Sequence, residues 1–170
     1  MSSIPKVTIE ITNGNLGRVA PREDGISGIV VSGVAVSGKF ALGDVLGPFF
    51  SPDDAVAMDI TPAYDTTNQC LAYQHITDFY LDNQKGTELY VMVVAKTVTM
   101  TQIADKNNAY MAKLLLAAGG RIRLATVTRV PDGAYSPNYD DQFDGDLWTA
   151  IEKLKQLRAY EFDNSRPVKF

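Results

Sequence analysis

The residues able to do chemistry in this 170-residue chain are few and far apart. It has one histidine, His75, and one cysteine, Cys70. A Ser-His-Asp triad and a two-histidine metal site are both tightly constrained by that count, and a lone cysteine excludes an internal disulfide and any multi-cysteine zinc or iron–sulfur site. On a helix the two side chains would point ~140° apart at ~100° per residue. We therefore predict a packed helix histidine and a small core cysteine.

An acidic segment at residues 140–146 has some of the spacing of a calcium-binding loop. Aligned on its glycine, the segment places Asp140, Gln142 and Asp144 at the first, third and fifth ligand positions. The twelfth position is then Ile151, where such a loop requires a bidentate glutamate. We predict instead a solvated loop whose carboxylates cap the next helix.

The glycine-rich segments fail the spacing of phosphate-binding loops. A P-loop needs Lys and then Ser or Thr after a glycine-rich turn, and segment 38–40 lacks that hydroxyl. Neither the glycines of segment 25–28 nor those of segment 43–47 give the three-glycine dinucleotide fingerprint. We predict that the glycines serve bends, bulges or close backbone approaches. No catalytic, cofactor-binding or metal-binding residue is predicted.

Two arginines are the positions where a partner contact is expected. Arg121 and Arg123 alternate with Ile122 and Leu124, so both would lie on one face of a strand. That is unusual in a sheet covered on both faces, which indicates a sheet edge or end. The pair could bind an anion or an acidic partner surface; a solvated strand end fits the same pattern.

Composition narrows the class of partner. The net charge is −4 and 45% of residues are hydrophobic, as in a globular domain that needs no disulfide or metal. Without a Lys/Arg run, no nucleic-acid partner is expected. No apolar run approaches the ~20 residues that span a bilayer, so no membrane insertion is expected. The N-terminus lacks the pattern of a signal peptide, which favours a cytoplasmic protein or a particle assembled there.

The elements that would position these residues fall into two regimes. The N-terminal part of the chain has the residue pattern of β-strands. The part from residue 67 onward has patterns that alternate between helix and strand. The predicted elements are strands at 7–12 and 26–36, an apolar stretch at 40–50, a short helix begun by Ser51-Pro52 and closed before Pro62, a helix at 67–81, a strand at 88–95, a helix at 100–118 stopped by Gly119-Gly120, a strand at 121–127, a loop at 131–143, a helix capped by Asp144 or Asp146 and running to about 160, and the opening of a strand at 166–170.

Right-handed crossovers between these elements predict an α/β fold with a mostly parallel sheet and helices packed on it, preceded by an N-terminal β-rich segment. Residues 1–50 would form that segment, packed on the main domain either as an antiparallel extension of the sheet or as a separate small β layer. Residues 51–170 would form the α/β domain. Because the chain ends inside a predicted strand, we expect this domain to be truncated at its C-terminus.

Several soft motifs resemble those of phage tail sheath-like proteins, in particular an uncharacterised prophage sheath-like family. The helix sequence 73–80, YQHITDFY, leads to a glycine and the strand 86–93, GTELYVMV. The later segment 117–124, AAGGRIRL, the helix near Leu147 and the Arg166-Pro167-Val168 strand are similar as well. The similarity covers roughly residues 50–170.

This resemblance implies a structural subunit of a contractile tail rather than an enzyme. Such subunits associate with themselves head-to-tail into rings or a helical array around a tail-tube protein, and they need no cofactor. The expected location is the bacterial cytoplasm during assembly and the virion tail afterwards. The alternative is an α/β small-ligand-binding domain or enzyme with a nonstandard site at the C-terminal ends of its strands. Its polar candidates would be Thr97, Thr99, Arg129 and Asp132.

Overall fold

A four-stranded sheet with helices on both faces forms the centre of the computed structural model, which describes residues 25–83, 86–140 and 142–170. Its elements in chain order are β1 (Ser27–Gly33), β2 (Val45–Phe49), α1 (Pro52–Ala57), α2 (Pro62–Asn68), α3 (Ala72–Asp82), β3 (Leu89–Ala95), α4 (Met100–Ala104), α5 (Met111–Ala117), β4 (Leu124–Val127), β5 (Tyr139–Asp140), β6 (Phe143–Asp144) and α6 (Gly145–Asp163). The sheet order is β2-β3-β1-β4. β1 is parallel to β3 and β4, and β2 is antiparallel to β3. The predicted α/β fold with a mostly parallel sheet is confirmed.

The strand predicted at 26–36 is the central strand of this sheet. β1 pairs with β3 on one side and with β4 on the other, and Val30 and Val31 are buried. Neither predicted arrangement of the N-terminal strands included a central parallel strand; β2, at the sheet edge, matches the antiparallel extension. The strand predicted at 7–12 lies outside the described residues.

Two cores flank the sheet, and alternate residues of β3 point into them, as predicted for a strand covered on both faces. Tyr90, Met92 and Val94 face a core built with α4, α5 and α6. Leu89, Val91 and Val93 face a second core built with α1, α2 and α3. β4 is covered less completely, since Leu124 is 47% exposed.

Gly28 and Gly33 permit close approaches to β1, as predicted. A Cβ on Gly28 would lie 3.1 Å from Cδ2 of Leu114 in α5. A Cβ on Gly33 would collide with the hydroxyl of Tyr64. That hydroxyl accepts a hydrogen bond from the Val34 amide at 2.7 Å and donates one to the Val34 carbonyl at 2.6 Å. A single side chain thereby satisfies both backbone groups just beyond the end of β1.

The predicted start of α1 is confirmed, and the predicted role of Pro62 is wrong. Ser51 is the N-cap of α1, and the Asp54 carboxylate accepts from its amide at 3.0 Å. Pro62 does not close a helix but opens α2 at its first position, behind the N-cap Thr61. Proline lacks an N–H and has a fixed φ, so this position suits it.

The helix predicted at 67–81 is divided between α2 and α3. Gln69 adopts a left-handed conformation with φ of 50°, which ends α2. α3 then begins at Ala72, and the Asp65 carboxylate of α2 accepts hydrogen bonds from Tyr73 and Gln74 amides at 3.1 and 3.0 Å. The residue that caps α3 thus lies in the preceding helix, where local sequence spacing does not reveal it.

The helix predicted at 100–118 is also two helices, α4 and α5. Asp105 interrupts it, because its carboxylate accepts from the Asn107 amide at 2.9 Å. The Asn108 side chain donates to the carbonyl of Gln102 at 2.9 Å. Asp and Asn compete with helical hydrogen bonds in this way. The predicted stop is confirmed at Gly119-Gly120, with φ of 65° and 73°.

The C-terminal elements are shifted from the predicted ones. β4 covers only the second half of the strand predicted at 121–127. The loop predicted at 131–143 contains the short hairpin β5–β6. The strand predicted at 166–170 is present as a parallel bridge between Leu124 and Lys169. Within the described ranges, no helix combines the length and the apolar character needed to cross a bilayer.

Candidate functional site

A buried arginine lies beyond the carboxyl end of β4, where open parallel sheets place their ligands. The Arg129 side chain is only 5% exposed, and one of its terminal nitrogens lies 3.6 Å from an oxygen of Asp146. Its guanidinium carbon lies 4.1 Å from the centre of the Tyr135 ring, the geometry of a cation–π contact. The hydroxyl of Tyr135 in turn donates to Asp144. We call these four residues the Arg129 network.

The two carboxylates of the network join the starts of two helices. Asp144 is the N-cap of α6 and accepts from the Asp146 amide at 3.1 Å. Asp146 reaches over to α4 and accepts from the amides of Met100 and Thr101 at 2.8 and 3.1 Å. Negative charge is favourable at both helix N-termini. The hydrogen bond from Tyr135 lowers the pKa of Asp144, and the same bond raises the pKa of the tyrosine.

The network lies at the carboxyl end of β4, where the predicted alternative would place its ligand. Of its four candidates, only Arg129 belongs to the network. Thr99 is the N-cap of α4, and the Gln102 amide donates to its hydroxyl at 3.1 Å. Asp132 accepts from the Ala134 amide at 3.1 Å in the following loop. Thr97 lies exposed in the turn after β3.

The acidic segment behaves as predicted for a helix-capping loop in the part that can be described. Asp144 and Asp146 each accept hydrogen bonds from backbone amides. The predicted capping of α6 is confirmed for Asp144, which is its N-cap. The sequence indicated Asp146 only as a possible cap of α6. Its contact with α4 was not predicted, because the two amides lie 45 and 46 positions earlier in the chain. No cluster of three or more His, Cys, Asp or Glu side chains suited to a metal ion occurs within residues 25–83, 86–140 and 142–170.

Cys70 and His75 occupy the predicted kinds of position. Cys70 is buried, and its sulfur lies 3.4 Å from an oxygen of Asp65. Burial raises the pKa of the Cys70 thiol to about 11, so the thiolate that a nucleophile requires is scarce at neutral pH. His75 is half-buried on α3.

The two arginines predicted to contact a partner lie just before the first residue of β4 and are not part of the strand. The Arg121 side chain donates to the carbonyl of Ala118 at 3.0 Å. The Arg123 side chain donates to the carbonyl of Gly120 at 2.8 Å. Both side chains therefore stabilise the turn after α5 through hydrogen bonds to its carbonyl groups. Arg121 is nevertheless exposed at the surface. Their contact with a partner stays a prediction.

A buried ion pair holds the last described residues against the sheet. Glu161 in α6 is 2% exposed, and its carboxylate accepts from two nitrogens of Arg166 at 2.6 and 3.2 Å. The Arg166 side chain lies directly over Gly120, where a Cβ would collide with it. The following backbone pairs with β4 through Lys169, whose carbonyl accepts from the Ala125 amide at 2.8 Å. Residues 168–170 thus lie beside β4 at the edge of the described sheet.

Three exposed aromatic side chains lie at the β5–β6 hairpin and at the start of α6. Tyr139 is 70% exposed, Phe143 53% and Trp148 43%. The rings of Phe143 and Trp148 meet edge to face with centres 5.7 Å apart. An aromatic surface of this kind is typical of contact sites between proteins. Alternating or helical spacing does not predict it, because two of the rings come from a hairpin and the third from a helix.

Comparison with known proteins gives a family and no nearer relative. Residues 4–165 match the family model described as DUF2586, N-terminal domain. No curated protein and no solved structure matches the chain significantly.

Proposed function

The chain belongs to the DUF2586 family, whose N-terminal domain it carries, and we propose that it is a structural subunit of a contractile, phage-derived tail sheath. In this role copies assemble head-to-tail around a tail-tube protein, in the bacterial cytoplasm, and become part of the tail. The sequence similarity of segments 73–80, 86–93 and 117–124 to sheath-like proteins supports this proposal. Fold alone does not, because α/β sheets serve many functions.

The observation that carries the proposal is a contrast between two places: the charge of Arg129 at the carboxyl end of the sheet is paired inside the chain, whereas aromatic side chains at the β5–β6 hairpin are exposed. At the carboxyl end, Arg129 is buried against Asp146 and Tyr135, so its charge is already paired within the chain. The exposed aromatic rings of Phe143 and Trp148 lie outside, where another protein can reach them. Large exposed apolar surfaces are typical of protein contacts.

The test is assembly of the complete gene product, expressed to its natural stop codon. Negative-stain electron microscopy should show rings or tubes, and addition of a tail-tube protein from the same genome should lengthen them. A complete protein that sediments as a monomer at every concentration, with and without that tube protein, would refute the proposal.

One observation favours the alternative, a ligand-binding domain. Nε of Arg129 is buried and has no hydrogen-bond partner among the described residues, although unsatisfied buried donors are rare. A small acid that reached this nitrogen would raise the melting temperature. A screen of nucleotides and small carboxylic acids against wild type and Arg129→Gln tests this. A stabilising ligand that has no effect on the variant would support the alternative, and an absence of stabilising ligands would count against it.

A further inference from the structure

The outward side of α6 carries a row of side chains with the spacing of a coiled-coil seam. The row consists of Trp148, Glu152, Lys155, Ala159 and Phe162, at intervals of four, three, four and three residues. Such intervals keep side chains on one side of a helix. All five are exposed, whereas the buried residues of α6 lie on its opposite side. We call this row the α6 stripe; no element of the described ranges covers it.

A depression of about 340 Å³ lies on the stripe near the end of α6. Its lining residues are Lys155, Arg158, Ala159, Phe162 and Asp163. Ala159 lies about one turn from Lys155 on one side and from Phe162 on the other, and its small side chain leaves space between them. The depression is therefore suited to a bulky side chain that arrives from another molecule.

A second copy of α6 provides such a side chain when the two helices run antiparallel. In one register, Trp148 of each copy faces Ala159 of the other and enters the depression there. The same register places Glu152 of each copy opposite Lys155 of the other. A two-fold axis between positions 153 and 154 repeats every contact, so one arrangement satisfies both copies.

The charges on the stripe select this orientation. Within the chain, Nζ of Lys155 lies 2.6 Å from Oε1 of Glu152, and the two side chains are 66% and 65% exposed. In the antiparallel register each carboxylate lies between two lysines, its own and that of the other copy. A parallel register would instead place like charges opposite each other, which is unfavourable. Arg158 and Asp163, of opposite sign, lie on the two flanks of the stripe.

The ends of the stripe match in size. Phe162, which is 69% exposed, faces Gly145 of the other copy, where no side chain limits the space for its ring. Beside Gly145 are Phe143 and Trp148, whose rings meet edge to face with centres 5.7 Å apart. The contact would therefore cover exposed aromatic rings at both ends of α6, and aromatic rings are enriched at protein interfaces.

We propose that two copies of this chain pair through the α6 stripe as an antiparallel two-fold dimer. A contact between one helix and one helix is smaller than a standard interface, so the dimer is weak and depends on protein concentration. The inference does not rest on the proposed function, because a two-fold contact closes on itself whereas the sheath array needs head-to-tail contacts. It gives the free subunit a state in which its exposed rings are covered.

Sedimentation equilibrium of the chain at increasing concentration tests the pairing. Wild type should change from monomer to dimer and form nothing larger. Lys155→Glu and Glu152→Lys should each weaken the dimer about tenfold, because like charges then face each other across the axis. An equimolar mixture of the two variants should regain the dimer. Neither variant regains its own ion pair within the helix, so recovery reports a contact between copies.

Matched variants elsewhere on the surface provide the controls. Lys39 and Asp59 form another exposed pair, with side chains 41% and 59% exposed, and Lys39→Glu should leave the dimer unchanged. Phe162→Ser should weaken the dimer about fivefold. Leu81→Ser should not, although Leu81 is 77% exposed, because it lies on the other face of the sheet. A wild type that stays monomeric at every concentration, or a mixture that does not recover, would overturn the inference.

Disulfide formation tests the orientation. In the antiparallel register two copies of Ala159→Cys hold their thiols roughly 16 Å apart along the helix, so this variant alone should not cross-link under mild oxidation. Its mixture with Trp148→Cys should give disulfide-linked heterodimers; Cys70 is buried and does not compete. Cross-linked dimers of Ala159→Cys alone would contradict the antiparallel arrangement.

The outcomes separate this inference from the proposed function. If the chain dimerises as described but the complete gene product forms no rings or tubes, the α6 contact stands and the sheath proposal fails. If rings or tubes form while this chain stays monomeric, the α6 contact is wrong and the sheath proposal stands.

Discussion

Replacement of Arg166 by leucine should destabilise the protein by about 2–3 kcal/mol. Removal of one partner from a buried ion pair costs about 3–5 kcal/mol, because the other charge stays buried without compensation. Here Glu161 is 2% exposed, but the Arg166 side chain is 28% exposed, so solvent screens part of the interaction. For a chain of this size the loss corresponds to a fall in melting temperature of roughly 5–10 °C.

A second ion pair provides the control for this prediction. Lys155 and Glu152 approach to the same 2.6 Å, but their side chains are 66% and 65% exposed. Lys155→Leu should therefore change the free energy of unfolding by less than about 0.5 kcal/mol. Urea unfolding followed by circular dichroism gives both values by linear extrapolation.

Two further results would decide whether the ion pair itself is responsible. The double variant Glu161→Leu/Arg166→Leu should be more stable than Arg166→Leu alone, because no charge is then left buried. If Arg166→Leu is no more destabilising than Lys155→Leu, the interpretation of Glu161 as a buried charge dependent on this one partner is wrong.

Three other predictions concern the cores and the Arg129 network. Asp146→Ala should cost about 2–4 kcal/mol in urea unfolding, since the Met100 and Thr101 amides at the start of α4 lose their acceptor and Arg129 loses its carboxylate. Asp146→Asn should cost less, because its amide oxygen can still accept. Tyr64→Phe should cost about 1–2 kcal/mol by the same assay, because both backbone groups of Val34 lose their partner, and an unchanged midpoint would contradict this. With its pKa raised to about 11, the Cys70 thiol should be roughly one thousandth thiolate at pH 8 and should react slowly with iodoacetamide until urea unfolds the chain; rapid alkylation of folded protein would show that the thiol is accessible.

Elements set by local chemistry could be predicted from the sequence. Ser51, Pro52 and Asp54 combine three signals for a helix start within four residues, and α1 begins there. Gly119-Gly120 provides two residues tolerant of positive φ, and α5 ends just before them. The continuous apolar run of β3 indicated burial on both faces, as the two cores show.

Features that depend on distant residues could not be predicted in this way. Periodicity alone continues through Asp105, whereas the helix breaks there because its side chain bonds the Asn107 amide and an oxygen accepts from Lys153 at 2.8 Å. The Arg129 network has the same origin: Arg129, Tyr135 and Asp146 show no mutual spacing, and only the fold brings them together.

The central position of β1 has a consequence for synthesis of the protein. β1 leaves the ribosome before all its neighbours, yet its last contacts form with the segment after β4, as in the bond from the Val130 amide to Ser32, 98 residues away along the chain. Topologies dominated by such distant contacts fold slowly. During translation the apolar strand that contains Val30 and Val31 therefore remains unpaired at both edges until β3 and β4 have left the ribosome. A nascent chain arrested before residue 124 should bind chaperones or aggregate, whereas one that includes β4 can complete the sheet.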